Sequence, residues 1–170
     1  MKNRLLKTES IGVVFVLILG TIMHFVFEWT GYNPVIGAVV PVNESVWEHL
    51  KILFFPMLLF TIAEYLLLPK FRNRLFTVRL ISAVIGLFYI VSFFYTYSGI
   101  LGKSILFLDI FSFVTGVILM YLISYLLFKV SVLSNKAANI ICLVLLLAIA
   151  ALFIIFTFET PGLPLFHVVH

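Results

Sequence analysis

Long apolar runs separated by short polar stretches dominate the pattern along the chain. A transmembrane helix needs about 20 predominantly apolar residues, and inside a bilayer each run must satisfy its own backbone hydrogen bonds. The pattern therefore predicts an all-α integral membrane protein, in which residues 1–170 form a single transmembrane domain of five helices. The predicted helices cover residues 11–27, 47–67, 80–101, 104–128 and 137–158.

One more apolar stretch lies between the first and second predicted helices. Residues 34–42 are apolar but too few to cross a bilayer. Non-helical backbone at membrane depth is tolerated only where protein buries it or where it lines a cavity. We therefore expect this stretch to form a short re-entrant or interfacial segment.

The composition strengthens the membrane assignment. Hydrophobic residues make up 64% of the chain and charged residues only 11%. Soluble domains carry about 45–50% apolar and about 25% charged residues, so lipid must be the solvent for much of this surface. The basic residues flank the apolar runs, which indicates the lipid bilayer and no nucleic acid as partner. Cys142 is the only cysteine, so neither a disulfide framework nor a thiolate metal site is expected.

Lysine and arginine are divided unequally between the two sides of the predicted membrane. With loops alternating between sides, nine of these residues fall on one side and two on the other. The larger set is Lys2, Arg4, Lys7, Lys70, Arg72, Arg74, Arg79, Lys129 and Lys136, and the smaller set is Lys51 and Lys103. Because basic loops favour the cytoplasm, we expect a multi-pass protein of the cell membrane with a cytoplasmic amino terminus and an extracytoplasmic carboxyl terminus.

Titratable side chains gather near the predicted outer side, where all four histidines and five of the seven acidic residues lie. His24 and Glu28 are four residues apart and so share a helical face. A carboxylate within the membrane faces inward because contact with lipid is costly. We therefore expect a polar pocket that opens outward. Its expected residues are His24, Glu28, Glu44, Glu48, His49 and Asp109.

Imidazole and carboxylate groups in such a pocket suit a divalent ion such as zinc. His24, Glu28 and His49 are the candidate metal ligands. Glu48, His49 and Asp109 are the candidate catalytic residues. Since a bound metal lowers the pKa of a water molecule, the predicted function is metal-assisted hydrolysis or transfer on a lipid-linked substrate.

The same residues also have a structural interpretation. Ser45 and Glu48 have the spacing of a capping box, in which each side chain accepts a hydrogen bond from the other residue's amide. Glu48 and Lys51 are three apart and can pair. Trp29 and Trp47 suit an aromatic belt at the membrane interface. On this hypothesis the stretch is a helix start in a non-catalytic membrane partner subunit.

A third hypothesis is a proton- or cation-coupled carrier that forms a homo-oligomer and takes a small ionic ligand. Its titrating residues would be Asp109 and Glu64, since carboxylates within a membrane favour function. Glu64 is also expected to pair with an arginine of the following loop or helix. The candidate arginines are Arg72, Arg74 and Arg79.

The carboxyl-terminal tail, residues 159–170, is apolar and contains prolines and two histidines. It follows a helix that ends on the predicted outer side. We therefore expect it to fold over the rim of the pocket and to bring His167 and His170 there.

The stretch Asn43-Glu-Ser-Val-Trp-Glu-His-Leu-Lys51 resembles a motif of an uncharacterised family of small polytopic bacterial membrane proteins, a domain of unknown function. The resemblance extends through Phe55-Pro-Met57 and covers most of the chain. It implies several membrane helices and no particular chemistry. The tail here is shorter and richer in histidine than the resemblance implies.

Overall fold

The computed structural model describes residues 2–168, without the side chain of Lys2, as a bundle of long helices. The helices are α1 (Lys2–Trp29), α2 (Pro34–Gly37), α3 (Val46–Leu67), α4 (Leu75–Leu101), α5 (Leu106–Leu127) and α6 (Lys136–Phe158). Short 3-10 helices cover Pro69–Phe71, Ser131–Leu133 and Pro164–Phe166.

Five of the described helices, α1 and α3 to α6, are long and apolar enough to cross a membrane. The predicted all-α fold with five transmembrane helices is confirmed, and the chain is a multi-pass membrane protein whose exposed apolar side chains are suited to contact with lipid. The bounds differ most at the start of α1, which begins at Lys2 instead of residue 11. This polar stretch stays helical and packs into the bundle, where Thr8 and Glu9 are buried.

Polar side chains mark where three of the helices begin. Asn33, Ser45 and Asn135 occupy the N-caps of α2, α3 and α6, and each side chain accepts a hydrogen bond from a following backbone amide. These bonds satisfy amides that have no partner within the helix. After α4 the chain turns at Gly102, whose φ of 69° is a left-handed conformation that glycine adopts without steric cost.

Helix α3 lies at the centre of the bundle, where it packs against α1, α4 and α6. Its Leu53, Phe54 and Met57 are fully buried in the main hydrophobic core, together with Val16 of α1 and Met120 of α5. Helix α5 packs against α4 and α1, and α6 packs against α4. The end of α1 lies beside the start of α3, where the rings of His24 and His49 are 5.1 Å apart between centroids.

Glycines allow α4 and α5 to cross closely. A Cβ atom on Gly86 would lie 3.0 Å from the Cβ atom of Met120 and 3.3 Å from the carbonyl oxygen of Gly116. Small residues at a helix crossing bring backbones close enough for extensive van der Waals contact, which is the main attraction between helices in lipid.

The segment between α1 and α3 folds back onto the bundle. Val40 is buried in a small core with Met23 of α1 and Ile52 of α3. The tail after α6 also returns to the start of α3, where Phe166 packs against Trp47 at a ring-centroid distance of 4.8 Å. The predicted short segment and the fold of the tail are therefore present, and the re-entrant position of the segment in a membrane stays a prediction.

Glu64 forms the pair that the sequence predicts, and its partner is Arg79. Arg79 Nε donates a hydrogen bond to Glu64 Oε2 at 2.7 Å, and both side chains are fully buried. The other two candidates bind backbone carbonyls, Arg72 that of Tyr65 and Arg74 that of Phe128. Arg79 is the candidate that lies inside a helix facing α3, which is why it reaches the buried carboxylate.

The two ends of the bundle differ in chemistry. The end where α1 begins is called the basic end here, and it carries Lys7, Arg72 and Lys129. The end where α1 finishes is called the histidine end, and it carries His24 and His49. The two histidines that the sequence predicts as metal ligands therefore lie at the same end of the bundle.

Candidate functional site

Three side chains converge at the histidine end and are called here the His24–Glu44–His49 cluster. One ligand atom from each lies within 4.8 Å of the other two. His49 Nε2 is 3.3 Å from Glu44 Oε2, and His24 Nε2 is 4.0 Å from Glu44 Oε1. The two imidazole rings are 5.1 Å apart between centroids. Two nitrogen ligands and one carboxylate thus face a common point, an arrangement that suits zinc.

Each member of the cluster is held by a different element. His24 lies on α1, Glu44 lies just before the N-cap Ser45, and His49 lies on the first turn of α3. The backbone carbonyl of Ser45 is 2.9 Å from His49 Nδ1. A carbonyl only accepts, so Nδ1 carries a proton, and in the neutral imidazole Nε2 would have the lone pair that a metal requires. Metal-binding histidines are usually oriented by such a second hydrogen bond.

His24 differs from His49 in its surroundings. Its Nδ1 is buried and has no hydrogen-bond partner among the described protein groups. The imidazole is 30% exposed, that of His49 is 28% exposed, and the Glu44 side chain is 67% exposed. The cluster is therefore half-buried, with its carboxylate on the open side.

The histidines also act on the acidity of Glu44, which lies outside the membrane-spanning helices. The contact with His49, together with the positive charge that His49 and His24 carry when protonated, lowers the pKa of the Glu44 carboxyl below its usual range. The charged carboxylate that a metal requires is thus favoured at neutral pH.

A small open cleft of about 160 Å³ adjoins the cluster. Its lining includes His24, Glu44 and Glu28, and the remaining lining residues are Phe27, Tyr32, Pro41, Val42 and Asn43. Sites for drug-sized ligands measure about 300–1,000 Å³, so this cleft suits an ion with its water or the reacting end of a larger molecule. Glu28 lies in the cleft, and Glu44 takes the place beside the two histidines that the sequence assigned to Glu28.

Glu48 faces a different part of the structure, a buried network that joins α3, α6 and the preceding segment. Its Oε2 accepts hydrogen bonds from Lys51 Nζ at 2.7 Å and from the Val42 amide at 3.0 Å. Thr157 of α6 donates to Glu48 Oε1 at 3.1 Å. Both oxygens of the carboxylate therefore have hydrogen-bond partners. The hydrogen bond from the Val42 amide ties the segment that carries Glu44 to α3.

Lys51 completes this network. Its Nζ donates to the carbonyl oxygens of Gly37 and Val40, at 3.0 and 3.2 Å, and contacts Thr157 Oγ1 at 2.5 Å. The side chain is 0% exposed. One ammonium group thus satisfies two carbonyls of the folded-back segment and the Glu48 carboxylate. The predicted pairing of Glu48 with Lys51 is confirmed.

The predicted capping box forms only in part. Ser45 Oγ accepts a hydrogen bond from the Glu48 amide at 3.3 Å, as predicted. The return bond is absent among the described residues, because the Ser45 amide donates to Asn43 Oδ1 at 2.9 Å. The Glu48 carboxylate is instead turned towards Lys51, which is the stronger partner because it is charged.

Asp109 lies outside the cluster. It accepts a hydrogen bond from the hydroxyl of Tyr97, a buried residue of α4, while the Ile105 amide donates to the same hydroxyl at 3.4 Å. These contacts span the connection between α4 and α5. The geometry gives Asp109 a part in holding that connection, and its predicted catalytic role stays a prediction.

The tail does not bring His167 to the cluster. Val168 forms a bridge with Ser45, and Phe166 is buried, whereas the intervening His167 is exposed. His170 lies outside the described residues.

Sequence reasoning placed Glu44 in the pocket but did not include it among the metal ligands. A signal was available, because Glu44 directly precedes the N-cap of α3 and so lies beside the first turn that carries His49. The contacts of Thr157 with Glu48 and Lys51 were not predicted from the sequence. Thr157 is the single hydroxyl residue of the apolar helix α6, and nothing in the sequence indicates that its side chain turns inward.

Comparison with curated proteins and with solved structures gives no match. Comparison with protein families gives one that matches residues 1–169, described as a family of unknown function. This agrees with the resemblance of the Asn43–Lys51 stretch to an uncharacterised membrane family. The chain belongs to the family of unknown function DUF6512.

Proposed function

We propose that the chain is a metal-dependent membrane enzyme in which His24, Glu44 and His49 bind zinc. The observation that carries the proposal is the convergence of their ligand atoms within 4.8 Å. Ligands of tetrahedral zinc lie about 2.0–2.2 Å from the metal, and hence roughly 3.3–3.6 Å from one another. The contact of 3.3 Å between His49 and Glu44 already has this spacing. The contact between His24 and Glu44 is longer, at 4.0 Å, so His24 would move closer on binding zinc.

Three protein ligands leave a fourth position for water, which is the arrangement typical of catalytic zinc. A zinc ion held by His24, Glu44 and His49 would lower the pKa of a bound water molecule for attack on a carbonyl carbon or phosphorus atom. Glu28, which lines the adjoining cleft, would accept the proton of this water and return it to the leaving oxygen as the bond to that oxygen breaks. In transfer, another hydroxyl takes the place of water.

Lipid-linked molecules are the proposed substrates, because the cluster adjoins an exposed aromatic surface of α1. Phe25 contacts His24 edge-on at 5.1 Å between centroids, and Trp29 stacks on Phe25 at 5.9 Å. Both Phe25 and Trp29 are exposed. Aromatic side chains of this kind favour the membrane interface, so a headgroup can reach the cluster while its chain remains in lipid.

We also propose that the protein lies in the cell membrane, with its basic end facing the cytoplasm and its histidine end facing the extracytoplasmic side. The division of nine basic residues against two supports this orientation. A reporter enzyme fused after His170 is therefore expected to be active only in the extracytoplasmic compartment. A fusion in the loop at Asn73 is the matched control and is expected to report the cytoplasm. The reverse pattern would contradict the orientation.

Zinc binding to the purified full-length protein tests the metal site directly. Wild type is expected to retain one zinc ion per chain after dialysis. His24→Ala, Glu44→Gln and His49→Ala are each expected to weaken binding more than about 100-fold, because even outer-sphere partners of metal ligands contribute 10–100-fold. Acidification from pH 7 to pH 5 is expected to release zinc, since protonated imidazole cannot bind it. Isothermal titration calorimetry and metal analysis measure these effects.

The matched control is His167→Ala, which removes an exposed histidine at the same end and is expected to leave zinc affinity unchanged. Unfolding temperatures of all variants show whether each remains folded. Wild-type protein without zinc affinity, or folded His24→Ala and His49→Ala variants that bind zinc as wild type does, would refute the metal site.

The geometry bears differently on the carrier hypothesis and on the hypothesis of a non-catalytic partner subunit. Glu64 is fully paired with Arg79, and Asp109 is hydrogen-bonded by Tyr97, so the geometry offers neither as a free titrating group of a carrier. The Glu48–Lys51 network favours a structural role for part of the Asn43–Lys51 stretch. That role is compatible with the enzyme, because the network holds the segment that carries Glu44.

A further inference from the structure

A second group of titratable residues is buried near the basic end and is separate from the proposed zinc site. Arg79 of α4 donates to both Glu9 of α1, at 2.9 Å, and Glu64 of α3, at 2.7 Å. Its Nη1 donates to Ser124 of α5 at 2.9 Å. The side-chain exposures of Arg79, Glu9 and Glu64 are 0%, 3% and 0%. These three residues are called here the Glu9–Arg79–Glu64 centre.

The centre contains two carboxylates and one guanidinium. If all three were charged, an uncompensated negative charge would remain in a buried site. Two carboxylates that share one site cannot both ionise easily, so one of them keeps a proton. The aromatic rings of Tyr121 and Phe128, which lie 4.7 and 5.7 Å from the Arg79 Cζ atom, add no compensating positive charge.

The geometry distinguishes the two carboxylates. Both oxygens of Glu64 accept hydrogen bonds from Arg79, a bidentate arrangement that favours the charged form. Glu9 receives one hydrogen bond at Oε1, whereas its Oε2 is buried and has no partner among the described protein groups. An unpartnered buried oxygen is much less costly on a neutral carboxylic acid than on a carboxylate.

We propose that Glu9 binds an exchangeable proton, and that the Glu9–Arg79–Glu64 centre is a proton-binding site within the membrane bundle. The charged and polar groups that face Glu9 are Glu64 on α3, Arg79 on α4, and Ser124 and Tyr121 on α5. Glu9 is the only one of these residues on α1. Loss of its proton adds the second negative charge and weakens the packing of α1 against α3 and α5. The stability of the bundle is therefore expected to decrease as the pH rises and Glu9 loses its proton.

Infrared spectroscopy of the full-length protein in lipid tests whether a proton is held. Wild type at neutral pH is expected to show the absorption of a protonated carboxyl group, which disappears as the pH is raised to 10. The band is expected to be missing in Glu9→Gln and to persist in Glu159→Gln, which alters an exposed carboxyl. Absence of the band in wild type, or its persistence in Glu9→Gln, would overturn the proposal.

Thermal stability identifies which carboxyl holds the proton. Glu9→Gln mimics the protonated acid and is expected to unfold within about 4 °C of wild type at pH 7. It is expected to be more stable than wild type at pH 9, where wild-type Glu9 has lost its proton. Glu64→Gln removes the charged partner of Arg79. Its unfolding temperature at pH 7 is therefore expected to lie further below that of wild type than the unfolding temperature of Glu9→Gln does.

The reverse order of these two variants would show that Glu9 is the charged carboxyl and overturn the proposal. If Glu9→Gln does not fold, absence of the infrared band in wild type would still overturn it. Stabilisation of wild type by sodium or potassium that is lost in Glu9→Gln would show that a metal ion, not a proton, balances the charge. None of these measurements depends on the zinc site, so the two proposals can fail separately.

Discussion

Lys51→Met is expected to destabilise the protein by about 3–5 kcal/mol, which is the usual effect of removing one partner of a buried ion pair. Methionine keeps the unbranched shape of the side chain but cannot donate a hydrogen bond. The Glu48 carboxylate would then lose its charged partner, and the carbonyls of Gly37 and Val40 would lose their donor. Reversible unfolding in bicelles measures the change in free energy of unfolding.

Lys51→Met is also expected to loosen the segment between α2 and α3, in addition to lowering the stability of the whole protein. Amide hydrogen exchange of residues 37–44 is expected to rise, because the ammonium group ties this segment to α3. The control is Lys103→Met, which removes an exposed lysine at the same end and is expected to change stability by less than about 0.5 kcal/mol. Equal effects of the two substitutions would show that the buried network does not stabilise the segment.

Arg79→Gln is expected to cost about 3–5 kcal/mol at the basic end, for the same reason of an unpaired buried charge. The charge left behind is that of Glu64, whose carboxylate loses both hydrogen bonds from the guanidinium. Addition of Glu64→Gln to Arg79→Gln is therefore expected to recover part of the lost free energy. A double-mutant cycle in the same unfolding assay measures this coupling.

The matched control for Arg79→Gln is Arg72→Gln, which alters a half-buried arginine whose hydrogen bond to the backbone of Tyr65 is exposed. It is expected to change stability little, since exposed charges contribute at most about 1 kcal/mol. If the effects of Arg79→Gln and Glu64→Gln on the free energy of unfolding were purely additive, the loss in Arg79→Gln would not come from its pairing with Glu64.

The zinc and proton proposals assign different tasks to the two ends of the bundle. At the histidine end, the cluster is half-exposed and adjoins a cleft, as a site for substrate requires. At the basic end, the side chains of the centre are almost completely buried, so only a proton or a very small ion suits it. The proposals rest on separate residues and separate measurements.

Much of the fold could be predicted because the relevant signals are local. A run of about 20 apolar residues favours a membrane helix regardless of what it packs against. The cap at Ser45 and the pairing of Glu48 with Lys51 follow from short spacings within one helix. The position of Glu44 directly before the N-cap of α3 indicates that it lies near His49. Its contact with His24, in place of Glu28, could not be predicted, because it depends on how the segment between two helices folds back.

The sequence by itself determined the five membrane helices, the gathering of histidines near one end and the family to which the chain belongs. Only the tertiary structure decided which side chains meet. The physical reason is visible at Gly20, where a Cβ atom would lie 2.4 Å from the Ile52 carbonyl oxygen. That close approach sets the position of α1 against α3 and brings His24, one turn further along α1, to His49.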